Sequence, residues 1–275
     1  KEIEKLGIGK FIDECKSNVF TYKKEWEEFT ERIGFWLDFE NAYITCDNEY
    51  IESLWWILKQ IWDKGLLYQD YKVVPYCPRC GTSLSSHEVA QGYQTVTEES
   101  ITVKFELVDE SGTYVLAWTT TPWTLPGNVA LAVNPDIDYI KFSLKNYPGI
   151  SDGIYICSKR DFDAYKKEAG VRIVEKIKGK DLIGKKYKPL YANEVPYRII
   201  GGNFVSVEEG TGIVHMAPAF GEDDMEAAKL NDLSVLMTVD EEGKMLTKNY
   251  PWDGKFIKEA DPLIIKDLKN RDLIF

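Results

Sequence analysis

The hydrophobic period changes partway along this chain, and no fold of uniform texture accommodates both halves. Up to about residue 75, apolar residues recur at intervals of three and four. From about Thr95 they gather into short runs separated by Gly, Pro and Asn. In "NVFTYKKEWEEFTERIG" the stripe is Val19, Tyr22, Trp26, Phe29 and Ile33, stopped by Gly34. In "EYIESLWWILKQIWDKG" it is Ile51, Leu54, Trp55, Leu58, Ile61 and Trp62, closed by Gly65. Both stripes predict helices whose apolar face, tryptophans included, packs into a core. The later runs "SITVKFELV", "TYVLAWT", "NVALAV", "DYIKFSL" and "GIYICS" predict strands, with short helices at "DFDAYKKEAG" and "DDMEAAKLND". The expected class is α+β: a helical N-terminal segment, then a strand-rich part with a β-barrel-like core and flanking short helices.

Among 275 residues, 44% are hydrophobic and 29% charged, enough to bury a core and too apolar for disorder. No apolar run approaches the roughly 18 residues of a membrane span, and the first residues are not a signal peptide. The sequence starts on Lys1 and stops on "RDLIF" in mid-pattern, which suggests a segment of a longer protein. Five cysteines with one C-x-x-C pair fit a reducing, cytoplasmic setting rather than a disulfide scaffold. A net charge of −11 argues against nucleic-acid binding over the whole surface. Between Lys159 and Arg198, however, 12 Lys and Arg face 6 Asp and Glu, so any polyanion should meet the chain near that segment.

Cys77 and Cys80 in "YCPRCG" make half of a zinc knuckle, and structural zinc needs four ligands. His87 is a candidate third ligand, but a second pair beyond the chain is the better expectation. "GKDLIGKK" nearly matches a phosphate-binding loop, yet Lys186 stands where a magnesium-binding hydroxyl belongs, and "YKPLYANEVP" cannot begin the required helix. It reads as a basic turn. A G-x-S-x-G elbow and an H-E-x-x-H zinc motif are both absent. Two stretches remain. "TTTPWTLPGN" places three hydroxyls stiff at χ1, an indole and an amide at one turn. "EEGTGIVHMAPAFGEDDMEAAKL" delivers His215 at a strand end and Asp223 and Asp224 to the start of a helix. Taken alone, His215 reads as a hydrogen-bonded strand-end residue and the two aspartates as capping. A carboxylate at a helix N-terminus should also stay ionised and suit a ligand ammonium.

Together these two stretches closely resemble the editing insertion (connective polypeptide 1) of isoleucyl-tRNA synthetase. The region "RIGFWLDFENAYITCDNEYIESLWWILKQIWDKGLLYQDYKVVPYCPRCGTSLSSHEVAQGY" resembles the part of the catalytic half that precedes it. Valine and leucine enzymes carry T-T-R-P-acid-T at this turn; here Thr121 and Trp123 take the arginine and acid positions, as in the isoleucine enzyme. The H-I-G-H and K-M-S-K-S synthetic signatures are absent, so charging of tRNA is not expected of this segment. The resemblance implies residues 1–72 as a helical segment of the catalytic half, 73–94 as zinc-knuckle half and linker, 95–260 as editing domain and 261–275 as a return segment. It implies hydrolysis of Val-tRNA(Ile), with Thr119, Thr120, Thr121, Asn128 and Asp224 catalytic and Asp224 holding the α-ammonium. Trp123 and His215 would bind substrate, His215 limiting side-chain size. Editing needs no cofactor, and zinc would sit on Cys77 and Cys80 only with a second pair. Expected partners are the tRNA(Ile) acceptor end, valine as its mischarged ester, and the remainder of the synthetase. The alternatives are a valyl- or leucyl-type editing domain, or a module that binds the acceptor end without catalysis.

Overall fold

The computed structural model describes residues 2–275. The chain divides into two compact units, Lys1–Tyr71 and Lys72–Phe275. The first holds four helices: α1 (Glu2–Leu6), α2 (Ile8–Val19), α3 (Lys23–Arg32) and α4 (Asn48–Asp63). Gly65, at φ 68°, ends α4 and lets the Leu66 N–H reach back to the Ile61 carbonyl at 3.2 Å, a Schellman closure. The helices lie where the periodicity puts them, but their apolar faces are not buried. Trp26 is 67% exposed and Trp55 71%, and none of the four helices buries a residue. The core packing expected of these tryptophans is therefore corrected. Within this unit no second layer lies over the stripe, and an amphipathic helix needs one.

The second unit opens on a hairpin of β1 (Tyr76–Cys77) and β2 (Thr82–Ser83), followed by α5 (Ser86–Gln91). Ser85 and Glu88 form a reciprocal capping box at the start of α5. Two sheets follow. One runs in the order β3 (Ile101–Glu106), β4 (Thr113–Thr119), β7 (Gly153–Ser158), β6 (Asp138–Leu144), β8 (Arg172–Lys178). The other is β10 (Ile213–Met216), β5 (Ala130–Val133), β9 (Arg198–Gly201). Pairing is antiparallel except at β4–β7 and β5–β9. Three helices complete the unit: α6 (Lys159–Phe162), α7 (Glu222–Asn231) and α8 (Ile257–Asn270).

The main core lies between the sheets and α8, with Val103, Phe105, Leu131, Tyr139, Ile264 and Trp252 fully enclosed. A smaller core on the other side of the five-stranded sheet packs Ile140, Phe142 and Tyr155 against Phe162 of α6. The α+β class stands, but the described sheets do not close into a barrel. β8 pairs only with β6, and β4 lies against β10 without a ladder between them. At the other edge the last residues seal β3: Lys104 N–H donates to the Leu273 carbonyl and Phe275 N–H to that of Thr102, both at 2.9 Å. The buried Lys104 ammonium adds a 3.0 Å bond to Asp272 and one of 2.9 Å to Ser151. Among the described residues no helix is long and apolar enough to cross a membrane.

Candidate functional site

The threonine turn begins where β4 ends. Strand alternation buries Thr119, leaves Thr120 exposed and turns Thr121 back inward. The Thr119 hydroxyl accepts the Thr121 N–H at 3.1 Å and lies 3.4 Å from the Thr121 hydroxyl. Residues 122–127 form a short 3₁₀ turn, for which Pro122 pre-sets the first φ. That turn hands Thr124 inward: its hydroxyl lies 2.8 Å from the Thr121 carbonyl and 2.8 Å from His215 Nε2. His215 stands on β10 directly opposite Leu131 of β5. Its Nδ1 lies 3.5 Å from Asn128 Nδ2. Asn128 in turn donates to the Ala130 carbonyl at 2.9 Å and accepts the Tyr187 hydroxyl at 2.7 Å.

One network thus runs Thr119, Thr121, Thr124, His215, Asn128, Tyr187. Thr120 stands apart from it, lining a hollow of about 180 Å³ with Glu98, Lys258, Asp261 and Pro262. Asn128 is 3% exposed and its amide is taken up internally, so it positions its neighbours. Trp123 stacks edge-on against Phe220 with ring centres 5.0 Å apart, and Asp261 of α8 accepts its backbone N–H at 2.8 Å. The Trp123 indole N–H is buried and bonded to no protein atom.

Burial alone drives the His215 pKa from 6.5 down to about 4, so the imidazole is neutral at pH 7. This has a stability signature. The unfolded chain takes up the proton near pH 6.5, the folded one only near 4. Stability is therefore full above about 6.5 and falls as the pH drops toward 4, by roughly 3 kcal/mol. Urea midpoints at pH 7 and 4.5 should diverge less in His215→Gln than in the parent chain; equal divergence would mean the ring is not buried neutral.

Asp224 belongs to the first turn of α7, whose N-cap is Gly221. Its Oδ2 accepts the Ala217 N–H at 2.8 Å, two residues beyond His215. The helix start favours the anion, as expected, but burial works against it. Desolvation raises its pKa, Asp223 pushes the same way, and the Ala217 N–H only partly offsets them. Asp224 lines a hollow of about 420 Å³ with Trp118, Glu208, Gly210, Thr211 and Asp223, rather than one shared with Thr119 or Thr121. The end of β10 joins the two regions: His215 holds the turn, and Ala217 holds Asp224. A carboxylate in this state gains most from a bound cation.

Cys77 ends β1 and Cys80 lies in the turn that leads to β2. The Cys80 N–H and thiol both hydrogen-bond the Cys77 sulfur, holding Cys77 below the usual thiol range and Cys80 above it. His87 lies along α5, its Nε2 2.8 Å from Gln91 Nε2. Among the described residues no three His, Cys, Asp or Glu gather to hold a metal. Two thiols are half of a zinc set and do not fit the ion by themselves.

Thr124, Tyr187 and Asp261 were not singled out in the sequence. Thr124 sits inside the threonine motif, whereas Tyr187 and Asp261 arrive from 59 and 138 residues away without a local signal.

This body has the fold of synthetase editing domains. The P. falciparum cytosolic leucyl-tRNA synthetase editing domain superposes with a TM-score of 0.55 at 14% identity, covering 65% of this chain and 99% of that one. The crystal structure of GlLeuRS-CP1 gives 0.54 at 16%, covering 64% and 98%. Residues 1–247 match the tRNA synthetases class I (I, L, M and V), and the chain belongs to that family. It is 47% identical over 279 residues to an isoleucine–tRNA ligase of Clostridium tetani and 48% identical over 282 to one of Thermus thermophilus. In both cases all of this chain is covered and 26% of the relative, so the chain spans about a quarter of the length of these relatives.

Proposed function

We propose that this chain is the editing region of an isoleucine-charging synthetase, hydrolysing the ester of Val-tRNA(Ile) and sparing that of Ile-tRNA(Ile). The observation that carries this reading is the network from Thr119 to Asn128, centred on a neutral His215 and joined through the end of β10 to Asp224. A synthetic site discriminates one missing methylene by about 1–3 kcal/mol, a figure long attached to the isoleucine–valine pair itself. A second site that excludes the larger side chain remedies this, because overfilling a rigid pocket costs about 1–3 kcal/mol.

Asp224 takes the α-ammonium of the ester, which also relieves its own desolvation. Thr119 and Thr121 fix the turn, Thr120 presents its exposed hydroxyl, and Trp123 braces the turn against Phe220. Asn128 acts through His215. None of these groups is an activated nucleophile, so a placed water attacks the ester directly. Cys77 and Cys80 would complete a zinc site with a second pair from the rest of the synthetase, which would also cover the exposed faces of α3 and α4. The reaction belongs in the cytoplasm, on the acceptor end of tRNA(Ile).

The test is to mix the chain with Val-tRNA(Ile) and Ile-tRNA(Ile) and follow release of each amino acid. Release of valine alone is expected; equal release, or none, overturns the reading. His215→Ala vacates space beside Thr124 and should raise the Ile-to-Val rate ratio about tenfold. An unchanged ratio would remove His215 from side-chain selection.

A further inference from the structure

The fold gathers part of the basic segment at one end of the five-stranded sheet. Lys178 lies opposite Asp138 on the β6–β8 ladder, and Lys176 opposite Ile140. Residues directly opposed in an antiparallel pair share a face. Ile140 packs with Phe162 of α6, so Lys176 and Lys178 stand on the α6 side. Lys159, the first residue of α6, joins them. Lys178 pairs with Asp138 at 2.7 Å. Asp138 is held below the usual carboxylate range first by that hydrogen bond, then by the fields of Lys178, Lys159 and Lys176. Three exposed ammonium groups thus lie about Asp138, and Asp163 also feels the field of Lys159.

This cluster occupies the same end of the sheet as the threonine turn. Val115 of β4 is level with Ile156 of β7, Ser158 with Tyr139 of β6, and Tyr139 with Ile177 of β8. β4 therefore delivers Thr119 to the end of the sheet where the lysines stand, on the main-core face with Val115 and Ala117, while Trp118 shares the lysines' face with Leu116. Three strand spacings separate β4 from β8, about 14 Å. The loop 206–212 lies against this end: Arg160 donates to the Val207 carbonyl, and the Ser158 N–H to that of Thr211 at 2.8 Å. The same loop lines the Asp224 hollow, so one surface runs from that hollow to the lysines. Glu208 and Glu209 border the hollow and repel phosphate there, confining a polyanion to the lysine end.

The geometry points to Lys159, Lys176 and Lys178 as the surface that grips the phosphodiester backbone of the RNA whose terminal ester is to be cleaved. The inference rests on the proposed function for the identity of that RNA. A span of about 14 Å corresponds to about four nucleotides at 3.4 Å per stacked step. The lysines therefore hold the strand a few nucleotides from its reacting end.

The experiment compares the parent chain with K159Q/K176Q/K178Q, binding uncharged tRNA(Ile) over a range of KCl. Each single-strand phosphate contact contributes about 0.7 to the slope of log K against log salt, so the slope should fall by about 2. Affinity near 0.15 M salt should drop tenfold or more, and K159R/K176R/K178R should retain it. Unchanged slope and affinity overturn the inference. The valine ester of adenosine, which has no phosphate, should be cleaved equally by parent and glutamine variant. Equal damage to that small ester would place the lysines in the reaction site and also overturn it. If the parent cleaves neither ester the proposed function falls, and the uncharged-tRNA measurement still decides for or against the lysine surface.

Discussion

Asp224→Asn is expected to lose at least about 100-fold in kcat/KM on Val-tRNA(Ile), about 2.7 kcal/mol of transition-state stabilisation, while becoming no less stable at pH 7. The amide oxygen of asparagine can still accept the Ala217 N–H that Asp224 Oδ2 now takes at 2.8 Å, so the end of β10 keeps its anchor. What disappears is the charge. Desolvation, reinforced by Asp223, raises the Asp224 pKa in the fold. A carboxyl of raised pKa binds its proton more readily folded than unfolded. Its contribution is most favourable below the ordinary carboxylate range and is lost as the pH rises through the folded value. At pH 7, above the ordinary carboxylate range, the raised pKa therefore weakens the fold, and the substitution removes that cost. The melting temperature should equal or exceed the parent's at pH 7, and the difference should shrink on acidification. Thermal melts at pH 7 and pH 4, run beside deacylation assays, read both effects. A variant that loses activity only because it unfolds would reduce Asp224 to a brace.

Asn128→Ala should destabilise the second unit by about 2–4 kcal/mol. The amide accepts the Tyr187 hydroxyl at 2.7 Å and donates to the Ala130 carbonyl at 2.9 Å, all of it buried. Truncation strands the tyrosine hydroxyl among apolar neighbours and opens a small cavity, and each effect costs of the order of 1–3 kcal/mol. Burial holds the Tyr187 pKa well above its ordinary range, so ionisation offers no escape. Tyr187→Phe in the Asn128→Ala background should recover part of the loss, because the stranded group is gone. A double-mutant cycle in urea should show about 1–2 kcal/mol of coupling. Strict additivity would show that the two side chains do not depend on each other. Deacylation should fall in Asn128→Ala more than in Tyr187→Phe, since only the first loosens His215 directly.

Helix and strand texture was readable because both periods are strong: α4 and the run from β3 to β7 fall on their stripes. β8 was missed because all but one of its seven residues are exposed, leaving no buried alternation to read. α8 was missed behind Pro262, which reads as a helix stop yet lies within its first turns. The exposed tryptophans of α3 and α4 show the limit of pattern reading: a stripe says which face is to be covered, not whether this chain covers it. At the site, the residues near in sequence, Thr119 to Asn128, were legible as a group. The raised pKa of Asp224 was not, since helix position favours the anion and only the depth of burial reverses the sign. Tyr187 and Asp261 come from distant elements and could be found only in three dimensions.

Val103 of β3 bridges Ile274 at the sheet edge, so the first strand of the five-stranded sheet and residues 273–275 run side by side. A body with its doorway and exit at one seam can be spliced into a host fold without prising that fold apart.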